Sequence, residues 1–199
     1  MKHALEIIAR EPCFDGFLKL VRYRLRHSLF AGGWSPVIER ERIEYLSSAA
    51  AILYDASREK VVMVEQFRIG ALEYGRGAWT LEPVGGVLTT GEDARDVVRR
   101  EAMEEAGCEI LDLEPIAVYH VSPGTSADRI RLFCGRVNAA MAGGIHGLRG
   151  EGEDTRVAVI DLEQAIAYLS SGKIDTSSAI IAIQWLVLNR DRLRVEWHR

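Results

Sequence analysis

The sequence contains no block of basic residues and no long hydrophobic run, and each absence excludes a class of function. Its 25 Lys and Arg residues are outnumbered by 29 Asp and Glu residues, giving a formal net charge of -4 at pH 7. Because nucleic acids bind basic surfaces, no nucleic-acid partner is expected. The most apolar stretch, residues 179–188, is interrupted by Gln184 and is too short to span a bilayer. No membrane role is expected either.

Cysteine is scarce, and its pattern predicts a reducing compartment. The three cysteines, Cys13, Cys108 and Cys134, form neither an even set for disulfides nor a CxxC pair. The first residues, MKHALEIIAREP, lack the apolar core of a signal peptide. Both observations predict a cytoplasmic protein. With 48% apolar and 27% charged residues over 199 positions, the composition is that of an ordinary soluble globular chain.

Short runs of residues predict two domains, 1–48 and 49–199. In the first, residues 18–27 and 37–46 alternate apolar with charged positions, which is typical of antiparallel strands with one solvated face. We predict a small N-terminal β-sheet there. At residues 49–55 and 61–67 the apolar runs are continuous and surround a turn, which favours a buried hairpin at the start of the second domain.

The second domain is predicted to mix further strands with three helices. The first helix should begin near Glu92, where Thr89 and Glu92 have the spacing of a capping box, and should end before Gly107. Two helices are predicted near the end of the sequence, at 163–171 and from the segment IDTSS to about residue 194. The predicted strands lie at 79–84, 116–121, 130–137 and 157–162.

The first predicted helix carries three glutamates on the side that is otherwise apolar. At 100° per residue, Glu101, Glu104 and Glu105 fall on the same stripe as Val97. A face that changes from apolar to acidic leaves the packed interior for a polar pocket. Carboxylates one turn apart repel each other, and a divalent cation such as magnesium removes that repulsion. The alternative is an ordinary solvated face on which Arg100 pairs with Glu104.

The spacing around this helix resembles the signature of the Nudix hydrolases. Gly86 is followed after five residues by Glu92, and after seven more by the segment REAMEEAG at 100–107. All seven fixed residues of that signature are present, while Ala102 and Cys108 replace bulky aliphatic residues. The resemblance implies an α+β chain with the Nudix fold, a mixed β sheet sandwiched between helices. In that fold the loop, helix and loop hold magnesium against a diphosphate.

Residues outside the signature resemble the branch of the family that hydrolyses ADP-ribose. Pro123 lies 15 residues after Cys108, about where that branch carries a proline, and the segments RLRHSLF, VEQFRIG, GIHGL, GKID and AIQWL are also similar. The resemblance implies cleavage of ADP-ribose to AMP and ribose 5-phosphate by metal-activated water, with Mg2+ or Mn2+. It also implies a homodimer that exchanges its N-terminal domains. GDP-mannose or another nucleoside diphosphate sugar is the alternative substrate, and a non-catalytic nucleotide sensor is a further alternative.

The same resemblance implies roles for individual acidic residues. Glu101 and Glu105 would be side-chain metal ligands, Glu104 would bind a further ion or a ligand water, and Gly85 would contribute its carbonyl. Glu92 and Arg100 would brace the helix. The general base would come from the loop LRGEGED, with Glu151 as first choice and Glu153 as alternate base or metal ligand. The alternative is that Glu151 and Glu153 have no catalytic role and only keep a surface loop soluble.

Substrate-binding residues are implied less directly. Arg68 would hold a phosphate, and Arg40 would reach the site of the partner subunit, since a guanidinium matches phosphate oxygens well. Glu41 and Glu82 would bind ribose hydroxyls, and the Pro123 segment would border the substrate. Four other residues have plainer explanations: Phe30 and Trp34 either stack on adenine or simply pack, and His120 and His146 are expected to be structural.

Overall fold

A computed structural model describes residues 3–44, 47–73, 77–148, 150 and 152–197. The chain divides into two compact units, the first formed by 1–46 with 120–129 and the second by 47–119 with 130–199. No helix in these ranges is both long enough and apolar enough to cross a membrane. The roles assigned to 1–48 and 49–199 stay predictions.

The first unit is a three-stranded antiparallel sheet in the order β1-β2-β3. Its strands confirm the predicted N-terminal sheet, although residues 45–46 of the third predicted run lie outside the described ranges. Segment 120–129 joins β3, where the Ile43 N–H donates to the Thr125 carbonyl and the Ala127 N–H donates to the Ile43 carbonyl. The strand bounds are β1 Leu5–Asp15, β2 Lys19–His27 and β3 Ile38–Glu44.

The second unit is built on a larger sheet whose order is β10-β11-β5-β4-β9-β8, with β6 paired to β5 and β7 paired to β4. The predicted hairpin is confirmed as β4 and β5. The bounds are β4 Ser47–Asp55, β5 Lys60–Phe67, β6 Trp79–Glu82, β7 Val84–Val87, β8 Asp112–His120, β9 Arg129–Arg136, β10 Ile145–His146 and β11 Thr155–Asp161.

Helices cover both faces of this sheet, which confirms the predicted α+β class. Along β4, Ala51 and Leu53 face a core beneath α1, while Ile52 and Tyr54 face a second core beneath α2 and α3. A strand buried on both faces needs a continuous apolar run, and that is the pattern from which it was predicted. The helices are α1 Ala94–Ala106, α2 Leu162–Ser170 and α3 Ser177–Trp197.

Three local predictions were wrong. The predicted strand 79–84 is two strands, because β6 pairs with β5 and β7 pairs with β4 on either side of Pro83. Helix α1 begins two residues later than predicted: Thr89 and Glu92 do bond to each other, but in a turn before the helix, and Asp93 is the N-cap. The third is β10, which lies in what the sequence indicated was only a glycine-rich loop.

Candidate active site

The acidic stripe of α1 faces the Gly85-Gly86 backbone of β7. Glu105 is buried, with 3% of its surface exposed, and its carboxylate accepts hydrogen bonds from the Gly85 N–H at 2.9 Å and from the Gln66 side-chain amide at 3.2 Å. Burial raises the pKa of Glu105 to about 7, and the charge of Glu101 adds to this effect. A buried carboxylate held by two neutral donors leaves its charge to be neutralised by something else.

Glu101 occupies the space that a side chain on Gly86 would fill. A Cβ atom at position 86 would collide with the Glu101 carboxylate, so only glycine lets this acid approach the backbone. Burial raises the pKa of Glu101, the charge of Arg100 lowers it, and the charges of Glu104 and Glu153 raise it further. Gly86 therefore lets Glu101 lie against β7, while Glu105 meets the same strand through the Gly85 N–H.

Arg100 neutralises part of the acidic cluster. Its guanidinium lies 2.9 Å from the Glu101 carboxylate, 3.2 Å from that of Glu104 and 3.6 Å from that of Glu92. The bracing contact with Glu92 and the alternative pairing with Glu104, both considered from the sequence, are therefore present together. α1 carries its own counter-charge beside the stripe.

The loop after β10 brings Glu153 towards the same site. The Leu148 N–H donates to the Glu153 carboxylate at 3.1 Å, and the Glu153 N–H donates to the Leu148 carbonyl at 3.3 Å. The Gly147 N–H lies 3.4 Å from the Glu104 carbonyl, which ties the loop to the end of α1. Glu151, the first choice for the base, lies outside the described residues.

Gly147 is a site residue that sequence reasoning missed. Its φ of +103° is one that side chains disfavour, and a Cβ there would lie 2.9 Å from the Glu153 Cβ and 3.0 Å from its carbonyl oxygen. The segment GIHGL was noticed only as a likeness, although a glycine beside an acidic loop was the available signal. The neighbouring His146 has a structural place, with its Nε2 2.8 Å from the Gly143 carbonyl.

Arg68 and Glu82 form an ion pair at the edge of the acidic cluster. The Arg68 Nη2 donates to the Glu82 carboxylate at 3.0 Å, and the Thr80 hydroxyl donates to the same carboxylate. Although burial lowers it, the carboxylates of Glu82, Glu105 and Glu153 raise the pKa of the Arg68 guanidinium. The second unit thus brings together seven of the predicted site residues: Arg68, Glu82, Gly85, Glu101, Glu104, Glu105 and Glu153.

The other predicted binding residues belong to the first unit. Glu41 pairs with Arg22 across the sheet at 2.8 Å, and the Arg40 guanidinium donates to the Glu39 carbonyl. Pro123 is exposed in the segment between β8 and β9. Their predicted contacts with substrate stay predictions.

The acids of the second unit suit a hard divalent cation in their chemistry. Among the described residues, no three His, Cys, Asp or Glu side chains converge closely enough to hold an ion as they stand. In this part of the chain the Arg100 guanidinium pairs with both Glu101 and Glu104. Carboxylate and carbonyl oxygens beside a bare glycine backbone are nevertheless the donors that magnesium prefers. The donor set fits, with Arg100 as its present counter-ion.

Comparisons with known proteins agree with this arrangement. The NUDIX domain family matches residues 44–177. The ADP-ribose pyrophosphatase of Escherichia coli K12 is 43% identical to this chain over 98% of this chain and 94% of its own length. The GDP-mannose pyrophosphatase of Enterobacter sp. strain 638 is 29% identical over 76% of this chain and 78% of its own length. A solved structure described as an ADP compounds hydrolase superposes with a TM-score of 0.71 over 96% of this chain and 95% of that one, at 14% identity. The acidic helix, the bare glycine strand beside it and the match over residues 44–177 place this chain in the Nudix family of hydrolases.

Proposed function

We infer that the protein hydrolyses the diphosphate bond of ADP-ribose, releasing AMP and ribose 5-phosphate. The observation that carries this inference is 43% identity to an ADP-ribose pyrophosphatase over nearly the whole of both chains. The buried Glu105, on a helix that also presents Glu101 and Glu104, supplies the chemistry that such a reaction needs. Water attacks one phosphorus, and the bond to the bridging oxygen breaks.

We propose that Mg2+, or Mn2+ in its place, binds between α1 and β7. When bound, the ion neutralises the diphosphate and makes an attacking water more acidic. Glu101 and Glu105 hold it with their carboxylates and Gly85 with its carbonyl, while Glu104 holds a further ion or a ligand water. The burial of Glu105 supports this assignment, because among the described residues its hydrogen bonds come from two neutral donors, and a cation would stabilise its buried charge.

The base is assigned to the loop between β10 and β11. Glu151 takes the proton from the attacking water, and Glu153 is either a metal ligand or the alternate base. The position of Glu153 supports the choice of this loop, because its charge acts on both Glu101 and Arg68. The nearby Arg68 holds a phosphate oxygen of the substrate.

The remaining assignments involve a second subunit. The working form is a homodimer with exchanged N-terminal domains, in which the partner's Arg40 and the partner's Glu41 reach the substrate and the Pro123 segment borders it. Exposed apolar side chains on the first unit support this, among them Phe17 and Phe30, each with 88% of its surface exposed. We place the enzyme in the cytoplasm, in keeping with its three free cysteines.

GDP-mannose fits less well as the substrate. The GDP-mannose pyrophosphatase is 29% identical over about three quarters of each chain, against 43% over nearly all of the ADP-ribose enzyme. A panel of ADP-ribose, GDP-mannose and other nucleoside diphosphate sugars, ranked by kcat/KM with magnesium, decides between them. We expect ADP-ribose to rank first. A higher kcat/KM for GDP-mannose would overturn the assignment.

The metal site is tested by changing Glu105 to Gln. The amide keeps the shape of the side chain and loses the ligating charge, so we expect turnover to fall at least about a hundredfold. Even residues that only hydrogen-bond to metal ligands change metal affinity or activity by up to about that factor. Magnesium titrations followed by calorimetry should show weaker binding. Glu109→Gln, an exposed change just past α1, is the control and should leave both unchanged. Near-normal turnover in the Glu105 variant would refute the ligand assignment.

The base is tested by comparing Glu151→Gln with Glu153→Gln. The first change should lower kcat while magnesium still binds, because the residue handles a proton and does not ligate the ion. If Glu153 is a ligand, its change should weaken magnesium binding as well as kcat. An unaffected rate in Glu151→Gln moves the base role to Glu153.

A further inference from the structure

A buried glutamine interrupts an apolar row on β5. The side chains of Val62 and Val64 belong to the core beneath α1 and are fully buried, and Gln66 is the next residue on that face of the strand. A leucine or methionine would continue the row, but Gln66 places an amide there and is itself buried. Because burying an amide without partners is unfavourable, the position calls for a partner that the amide serves.

That partner is Glu105, where α1 makes the same change of polarity. The Gln66 Nε2 donates to the Glu105 Oε1 at 3.2 Å. On α1 the buried side chains pass from Val97 and Val98 to Glu105 along one stripe. Two elements that are distant in the chain therefore change from apolar to polar side chains at one buried contact.

Glu105 is held at both of its carboxylate oxygens. Oε1 accepts from Gln66, and Oε2 accepts from the Gly85 N–H at 2.9 Å. One donor on each oxygen fixes the plane of the carboxylate, and a carboxylate has about four lone-pair positions, so room for a further partner remains. The Gly85 donor belongs to the backbone, whereas the Gln66 donor depends on the side chain that β5 carries.

These two donors are neutral, unlike the side chain that pairs with the neighbouring acids. The Arg100 guanidinium forms ion pairs with Glu101 and Glu104. A guanidinium beside a carboxylate competes with a metal ion for the negative charge. An amide orients the carboxylate and leaves its full charge available, and hydrogen bonds of this kind commonly support the ligands of metal sites.

We propose that Gln66 is a positioning residue of the metal site, whose amide holds the Glu105 carboxylate in the orientation that a divalent cation requires. The inference rests on the proposed function, because it takes Glu105 as a metal ligand. Gln66 acts through Glu105 and not on the substrate. Its loss therefore changes metal affinity first, and turnover only as far as the metal site is left empty.

The test compares metal binding in wild type and in Gln66→Met. Methionine is also long and unbranched but has no donor, so it suits a buried position. Mn2+ is titrated without substrate, and the electron paramagnetic resonance signal reports the free ion. We expect the dissociation constant to rise about tenfold or more, the usual effect of losing a hydrogen bond to a metal ligand. Gln184→Met, an exposed change on α3, should leave this constant unchanged.

Kinetics and stability separate positioning from a merely structural role. In Gln66→Met the magnesium concentration for half-maximal activity should rise by a similar factor, about tenfold or more. At saturating magnesium, kcat and the KM for ADP-ribose should stay close to those of wild type. A residue that only supported the fold would instead lower the free energy of unfolding in urea with a chelator present, and would leave the Mn2+ dissociation constant unchanged.

A double variant shows whether Gln66 acts through Glu105. Glu105→Gln alone should bind Mn2+ weakly, and adding Gln66→Met should weaken binding little further, because residues that act through one contact are not additive. Losses of affinity that add in full would mean that Gln66 contacts the ion independently, and would overturn the positioning role.

Each remaining outcome decides the matter. An unchanged Mn2+ dissociation constant in Gln66→Met overturns the inference while the proposed function stands. If Gln66→Met does not fold, Gln66→Asn takes its place: its amide is one methylene too short for the bond, so unchanged Mn2+ binding there overturns the inference equally. If wild type binds Mn2+ and does not cleave ADP-ribose, the proposed substrate fails and the role of Gln66 stands. If wild type binds no Mn2+, both fail.

Discussion

At the scale of single residues, the site depends on Glu105. The sequence put it on one helical stripe with Val97 and Val98 and predicted a polar pocket there, whereas the structure buries Glu105 together with both valines. The stripe could not show which of the three glutamates is most buried. That depends on tertiary contacts such as the hydrogen bond from Gly85, a residue of β7, which pairs with β4.

The raised pKa of Glu105 predicts how stability without metal depends on pH. A carboxyl whose pKa rises on folding, here from 4.5 to about 7, holds its proton more tightly in the folded chain. The free energy of unfolding therefore decreases as pH rises through that window, by about 3 kcal/mol for this group. Glu105→Gln has no carboxyl at this position, so its stability should not decrease over this pH window. With a chelator present, the difference in free energy of unfolding between the variant and wild type should therefore favour the variant more at pH 8 than at pH 4.5.

Urea unfolding at the two pH values measures this difference. Glu109→Gln, at an exposed position nearby, serves as the reference and should follow wild type at both. An equal advantage of Glu105→Gln at pH 4.5 and pH 8 would show that the Glu105 carboxyl does not titrate in this window.

At the scale of elements, the short strand β10 anchors the start of the loop that carries Glu153. It pairs with β11 through two residue pairs, Ile145 with Arg156 and His146 with Thr155. Two residues carry no periodicity that a sequence can display, so β10 was read as loop. The longer strands and α1 were predictable because each repeats its apolar pattern over several residues.

Gly147 offers a test of this element. Gly147→Ala places a Cβ at a positive φ and against Glu153, so the loop must shift. We expect kcat to fall at least about tenfold, because misplacing a catalytic group by about 1 Å has effects of that size or larger. The matched change Gly150→Ala lies in the same loop, where a Cβ would meet nothing within 4 Å, and should keep normal kcat. Equal kcat in both variants would contradict a positioning role for the turn at Gly147.

At the scale of the whole molecule, the described residues of the first unit bury little apolar surface. Among its described residues, Tyr23 is the one hydrophobic side chain that is buried, while Leu5, Ile7, Phe14, Phe17 and Phe30 are exposed. A three-stranded sheet with so little burial gains its stability from a further surface. The sequence predicted strands with one solvated face in this unit, but the residue pattern of a single chain cannot identify the surface that would cover the other face.

The proposed homodimer predicts the effect of charges on β1. Leu5→Lys combined with Ile7→Lys places two cations on the exposed apolar strand and should shift the protein from dimer to monomer in light scattering after gel filtration. Activity should fall too, because the partner's Arg40 is then absent from the site. Leu188→Lys, a change of the same kind on α3, should leave the dimer intact. A wild-type monomer with full activity would refute the exchange.

Arg100 links acids from two places in the chain, Glu92 in the turn before α1 and Glu101 and Glu104 on the helix itself. Because this ion-pair cluster contains no metal, we expect the fold to persist when a chelator is added. Removal of the proposed ion should therefore abolish turnover while the far-UV circular dichroism spectrum stays unchanged.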